Sequence, residues 1–259
     1  MMPGIEEDFD MGRVASRTFG TIGRNAVTFF CLAVIAVAPR LILSSYLGVD
    51  AFARGRTLEP NYLLHFYSMF AIVGVVGLVL SAILQAALVH GTINDLNGKK
   101  ASFGDCLQTG LQTCLPVIGL TLLMSIAVGF GFVLLLVPGI LMFLAWAVAV
   151  PVLVVEKTGV SGAFGRSAQL TKGHRWAILG LAVAVWLIAV LLGLAILPLH
   201  SLLTLPGGGL AATAPVLAVT GVIQVFVATV SAAGTAAVYY ELRSIKEGIG
   251  PEQLASVFD

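Results

Sequence analysis

The stretch "VVEKTGVSGAFGRSAQLTKGHRW", Val154 to Trp176, is a polar, glycine-containing island between two of the most apolar runs in the chain, and it carries four of the fourteen Lys and Arg residues. What surrounds it sets the class. Hydrophobic residues fill 58% of the 259 positions, charged residues only 10%, and the mean hydropathy is +1.01, whereas soluble domains carry about 25% charge. The chain therefore reads as an all-α integral membrane protein. Its net charge of +1 says little, because the placement of charge matters more than its sum in such a protein.

Working outward from the island, apolar runs long enough to cross the hydrocarbon core, which takes about 20 helical residues, fall at 27–48, 62–88, 116–136, 139–155, 176–198 and 215–240. Six transmembrane helices are expected. "LVPGI" (136–140) separates the third from the fourth, and Pro138 with Gly139 is expected to end one helix and turn the chain into a tight hairpin. The first apolar run is too long for the core of a cleavable signal peptide. A single membrane domain, 1–259, follows: an interfacial helix in 1–25, spans one to four in 27–155, an interfacial segment at 156–175, spans five and six in 176–240, and a tail at 241–259.

Lysine and arginine orient these spans. With the N-terminus in the cytoplasm, the inner segments hold Arg13, Arg17, Arg24, Lys99, Lys100, Lys157, Arg166, Lys172, Arg175, Arg243 and Lys246, and the outer loops only Arg54 and Arg56. This positive-inside bias predicts both termini on the cytoplasmic face.

An internal repeat accompanies the island. "DMGRVASRTFGTIGRN", "SFGDCLQTGLQTC" and "AFGRSAQLTKGHR" align on Gly12, Gly104 and Gly165, and each precedes two spans. In the first, Met11, Val14, Ala15, Thr18 or Phe19 and Ile22 recur at helical spacing; Phe103, Cys106, Leu107, Gly110 or Leu111 and Cys114 do so in the second. A narrow apolar stripe opposite a polar face suits a helix lying in the membrane interface. The third copy is poorer, with Phe164, Ala168 and Thr171 on one side, Ser161 the expected N-cap and Gly173 the stop. The architecture expected is three parallel repeats, each an interfacial amphipathic helix followed by a transmembrane hairpin.

The stretch "VPGILMFLAWAVAVPVLVVEKTGVSGAFGRSAQLTKGHRW" (137–176) resembles the bacterial membrane domain found attached to glycerophosphoryl diester phosphodiesterases, and its stand-alone YciC-like relatives. The resemblance rests on Pro138 and Gly139, Trp146, the Pro-Val-x-Val-x-Glu run from Pro151 to Glu156, and the Arg-Ser-x-x-Leu-Thr-x-Gly run from Arg166 to Gly173. "FDMGRVASRTFGTIGRN" and "AVYYELRSIKEGIGPEQLASVFD" extend it to both ends. It implies a six-span architecture and assigns no activity to stand-alone members. The phosphodiesterase barrel of the fused enzymes, about 250 residues, has no counterpart in this sequence.

No catalytic residue, cofactor or metal is expected. The four histidines (His65, His90, His174, His200) are scattered, Cys31, Cys106 and Cys114 form no CxxC, and no HExxH, GxSxG, P-loop or dinucleotide fingerprint occurs. Glu156 and Arg166, ten residues apart, are a candidate structural clasp between the fourth span and the island. Arg166, Lys172, His174 and Arg175 form a candidate surface for phospholipid headgroups, anionic ones in particular, or for a protein partner, with Trp176 as an interfacial anchor. Inside the spans, Arg40 is either a functional group with Asp50, Glu59 or His65 as neighbours, or a snorkelling side chain. Gln85 and Gln224 could bridge helices, a structural role favoured over a substrate site. The small residues Ser231, Ala232, Gly234, Ala236 and Ala237 suit close helix packing, with Tyr239 and Tyr240 at the interface. Two functions fit: a non-enzymatic, lipid-associated scaffold or partner protein, or a transporter or channel for a small solute or lipid. The scaffold is favoured, since a transporter calls for more polar or broken-helix residues near the midplane. Nucleic acid is not an expected partner, and the sequence leaves the oligomeric state open.

Overall fold

A computed structural model describes residues 9–54, 60–203 and 210–248, and all regular structure within them is helical. The helices are α1 (Met11–Arg24), α2 (Ala26–Arg54), α3 (Pro60–Leu96), α4 (Phe103–Leu134), α5 (Leu136–Ala145), α6 (Ala149–Glu156), α7 (Gly159–Thr171), α8 (Arg175–Leu203) and α9 (Leu210–Glu247). Six stretches are long and apolar enough to cross a membrane: Ala26–Ser44, Tyr67–Leu96, Phe103–Leu134, Leu136–Glu156, Arg175–Leu194 and Leu217–Glu247. Each overlaps one expected span. The chain is a multi-pass membrane protein.

The helices overrun the lengths read from hydropathy. At 1.5 Å per residue, the 37 residues of α3 and 38 of α9 reach about 55 Å, well beyond a hydrocarbon core of about 30 Å. Their polar ends therefore continue as helix, and α9 runs through Glu247 where the tail was expected to begin. The second interfacial segment is likewise no separate element but the first turns of α4.

The α4–α5 hairpin turns at Leu135, a single extended residue (φ −165°, ψ 143°). Pro138 does not make the turn. It sits in the first turn of α5, where its missing N–H leaves nothing unpaired. Gly139 is needed for contact: a β-carbon there would fall 2.7–2.8 Å from Phe132, and one on Gly131 would fall 2.9 Å from the Gly139 backbone.

The fourth span is broken. Helix is interrupted at residues 146–148 and resumes as α6. Pro151 accounts for this, since a proline can neither donate to the carbonyl four residues back, that of Ala147, nor pack against it without a clash. Within α6, the residues Val150 to Val154 are all buried, packed among α3, α4, α7 and α9. That short helix is the centre of the larger core, with Val14, Val117, Leu120, Leu170, Tyr239 and Leu242 around it.

The island is α7. It starts at Gly159, where Lys157 and Gly159 take positive φ (52° and 74°), so Ser161 lies inside the helix and Thr158 holds the cap position. Gly173, at φ +97°, ends it. Rather than lying wholly in an interface, α7 buries Ala163, Ser167, Leu170 and Thr171. In α1 the buried residues are Val14, Thr18 and Thr21, while Met11 and Phe19 are exposed. The expected stripe is thus split between the protein interior and the outside.

Candidate functional site

One end of the bundle gathers the charge, and three carboxylates organise it. Asp95 closes α3, Glu156 closes α6, and Glu241 lies near the end of α9. Around Asp95, Thr21 Oγ1 donates to Oδ2 (2.8 Å), Asn25 Nδ2 to Oδ1 (2.7 Å) and Arg24 Nη2 to Oδ2 (2.5 Å). This hydrogen bonding holds Arg24 protonated even more firmly than usual. Glu241 is buried, with 1% exposure. It accepts from Arg13 Nε at 2.9 Å and from Arg17 Nη1, and the Arg17 guanidinium also lies 5.1 Å above the Tyr240 ring, a favourable cation–π geometry. α1 is thereby tied to α3 and α9 through its arginines.

Glu156 carries a larger network. Arg166 Nε donates to its Oε2 at 3.0 Å and Tyr239 Oη to its Oε1 at 2.9 Å. Arg166 Nη2 also donates to Glu247, whose other oxygen accepts from Arg243 Nε at 2.7 Å. Lys246 Nζ reaches the carbonyls of Gln169 and Lys172, the latter at 2.9 Å. Glu247, Arg243 and Lys246 had no sequence signal beyond a charged tail. Tyr239, expected at the interface, is 1% exposed, because its hydroxyl finds Glu156 and its ring fills the core.

The Arg-Ser-x-x-Leu-Thr-x-Gly run can now be read atom by atom. The break in the fourth span leaves the Ala145 carbonyl without its helical partner, as Ala149 N–H donates instead to Trp146 (3.0 Å). Ser167 Oγ donates to Ala145 O at 2.9 Å, and Thr171 Oγ1 lies 3.3 Å from the same oxygen, its one proton shared with the Ser167 carbonyl at 3.0 Å. Leu170 is fully buried, Gly173 turns the chain, and the Trp146 ring packs on Phe164 with centroids 4.7 Å apart. The island thus caps a proline-broken membrane helix.

Arg166 is consequently engaged with carboxylates and does not form a free surface with its neighbours. Beyond it, Lys172 and Trp176 are exposed, Trp176 at 82%. His174 Nδ1 and Arg175 Nε are both shielded from solvent without a hydrogen-bond partner in the structure. The Phe9 ring lies 6.1 Å from that of His174. Lys99, Lys100 and Lys157 are also exposed, and none of these lysines, nor Arg175, makes an ion pair among the described residues.

The intramembrane candidates do not converge. Arg40 is exposed, lies across Gly77, and has no ion pair among the described residues. Glu59 and the side chains of Asp50 and His65 lie outside the described part, as do Gly250 to Asp259. Gln85 and Gln224 are half-buried, and no hydrogen bond joins them among the described residues. Between α2 and α9 runs a groove of about 290 Å³, lined by Phe30, Val34, Leu41, Leu217, Val222 and Val225 among other hydrocarbon groups. No group of three or more His, Cys, Asp or Glu side chains able to hold a metal ion occurs among the described residues.

The fold and this self-paired charged end define a multi-pass helical membrane protein with six candidate spans. Residues 100–242 match the family described as "Domain of unknown function (DUF7847)". The match takes in more than half of the chain, from α4 to Glu241 and Leu242, and the chain belongs to that family. No curated protein and no solved structure matches it.

Proposed function

We propose that this protein is a non-enzymatic scaffold of a bacterial cytoplasmic membrane, with both termini on the cytoplasmic side, whose charged end associates with anionic phospholipid headgroups and presents a surface to a protein partner. The observation that carries this reading is an imbalance. Asp95, Glu156, Glu241 and Glu247 are all consumed by internal pairs, while Lys99, Lys100, Lys157, Lys172 and Arg175 are left without ion pairs among the described residues, against the single exposed carboxylate of Asp105 in the same condition. Each such cation contributes on the order of 1 kcal/mol near an anionic leaflet. The resemblance to the membrane domain attached to glycerophosphoryl diester phosphodiesterases supports a setting in phospholipid metabolism by analogy alone.

The three-unit reading has a common burial register in its favour. Counting from Gly12, Gly104 and Gly165, the second and sixth following residues are buried in every copy: Val14 and Thr18, Cys106 and Gly110, Ser167 and Thr171. The aligned glycines of the second and third copies each follow the preceding carboxylate, Asp95 or Glu156, by nine positions. α1 packs in turn on the last helix, α9, with Arg13 on Glu241. Each interfacial segment thus docks on the second span of the unit before it, and α1 closes the circle.

Native mass spectrometry of protein released from its own membrane tests the lipid reading. Wild type is expected to retain anionic phospholipid, and a variant with Lys99, Lys100, Lys157, Lys172 and Arg175 all changed to Gln to lose it; equal retention of bulk lipid by both would overturn the proposal. Sidedness is read separately, by labelling Lys100→Cys and Lys172→Cys. Both are expected to react from the cytoplasmic side, and reaction only from the outside would reverse the topology. Ser167 cannot serve for this, since it is fully buried.

A further inference from the structure

We infer that the seam between α5 and α8 holds an anionic phospholipid, with its phosphate at Lys172, His174 and Arg175 and its acyl chains along α8. This rests on the lipid reading above and adds where, and by which groups, one lipid is selected. In the circular arrangement each unit's first span faces the second span of the unit before it. α4 lies along α3 and α2 along α9, but α8 meets α5 over only a short stretch. Just 6% of the α8 window is buried, against 22–50% in the other spans. Val183, Trp186, Leu187, Leu191 and Leu194 of α8 are exposed, as are Leu136, Val137, Leu141 and Phe143 of α5. One of three equivalent seams is open, and its walls are hydrocarbon.

The polar end of that seam calls for an anion. His174 Nδ1 and Arg175 Nε are shielded yet unpartnered, and a buried polar group left unpaired is costly. Lys172 stands beside them, exposed. α8 begins at Arg175 with no acidic residue in its first turn, so nothing in that turn offsets the positive end of its 29-residue dipole. Arg166, Arg243 and Lys246 are close in the fold but already committed. Trp176, 82% exposed, stands where an aromatic ring meets the headgroup layer.

A second copy of the chain is a poorer occupant. Of the carboxylates described at this end, Asp95, Glu156, Glu241 and Glu247 are internally paired and Asp105 is exposed without an ion pair among the described residues, so a copy approaching with the same end would bring one such carboxylate against several unpaired cations, mainly like charge. A phospholipid supplies both phosphate and hydrocarbon, in the order in which the seam runs from polar to apolar.

The chain's own fluorescence reads the seam, because its three tryptophans are Trp146, at the end of α5, and Trp176 and Trp186, on α8. The full chain is reconstituted in phosphatidylcholine vesicles and titrated with dibrominated phosphatidylglycerol or, in parallel, dibrominated phosphatidylcholine. Half-maximal quenching is expected at a mole fraction about tenfold lower for the anionic lipid, and Lys172→Gln/Arg175→Gln is expected to abolish that preference, as two cations near a headgroup imply. Unchanged quenching of this variant by the brominated phosphatidylcholine shows that its fold is intact. Equal quenching of wild type by both lipids overturns the proposal, and so does protection from both, which would mean that protein covers the seam. If anionic lipid is retained in mass spectrometry but quenching is unselective, the seam assignment fails while the cationic rim stands; failure of both removes both.

Discussion

Glu241→Ala is expected to destabilise the protein by about 3–5 kcal/mol, the usual cost of removing one partner from a buried ion pair, and to free the N-terminal part of α1 from the bundle. The carboxylate is 1% exposed and accepts from Arg13 and Arg17. Its loss leaves Arg17, with 25% side-chain exposure, held against Tyr240 without a counter-charge, while the Asp95 cluster alone keeps the other end of α1 in place. Thermal unfolding in detergent reads the stability, and thiol reactivity of a Thr18→Cys reporter, at a site 3% exposed, reads the docking. Glu241→Gln keeps the shape but only one acceptor oxygen, its NH2 then facing an arginine donor, and should fall between wild type and Glu241→Ala. Unchanged melting together with an unreactive reporter thiol in Glu241→Ala would show that apolar contacts hold α1 and that the ion pairs are incidental.

Ser167→Ala with Thr171→Val is expected to cost about 1–3 kcal/mol, the penalty for a buried acceptor left without a donor. The reasoning is specific to the break in the fourth span: the two hydroxyls matter because Pro151 interrupts the helix and the Ala145 carbonyl is left over. A Pro151→Ala background supplies the test. Residue 151 can then donate to the Ala147 carbonyl, the helix can run on, and Ala149 N–H becomes available to Ala145. The double substitution should therefore cost less there, and the coupling between the two changes is measured by a mutant cycle on thermal unfolding. An equal loss in both backgrounds would mean that the hydroxyls act through packing and not as caps.

Both effects turn on residues that the sequence makes visible without saying what they touch. Arg166 and Ser167 stand out in the island, and a turn that brings Arg166 to Glu156 can be imagined from a ten-residue separation. Nothing local indicates that Glu247, 81 residues further on, takes the other side of the same guanidinium, or that Glu241 serves Arg13 and Arg17 across more than 220 residues. The arginines of α1 look from the sequence like a solvated face. They turn inward because α3 and α9 are long enough to carry Asp95 and Glu241 out to meet them. Pro151 is similarly legible as a helix breaker, yet whether a proline kinks, ends or merely opens a helix depends on its neighbours, here the hydroxyls of α7.

The sequence by itself determined the class and the number of apolar stretches long enough to span, because hydrocarbon solvation acts on each segment separately and needs about 20 apolar residues wherever they occur. Gly173 as a stop belongs to the same category, since its positive φ is a local property of the backbone. The tertiary structure alone decided which charges are paired with one another and which faces of α1 and α7 turn inward. Those outcomes depend on ion pairs and packing between segments far apart in the chain, whose strength is set by distance and burial that no single stretch of sequence contains.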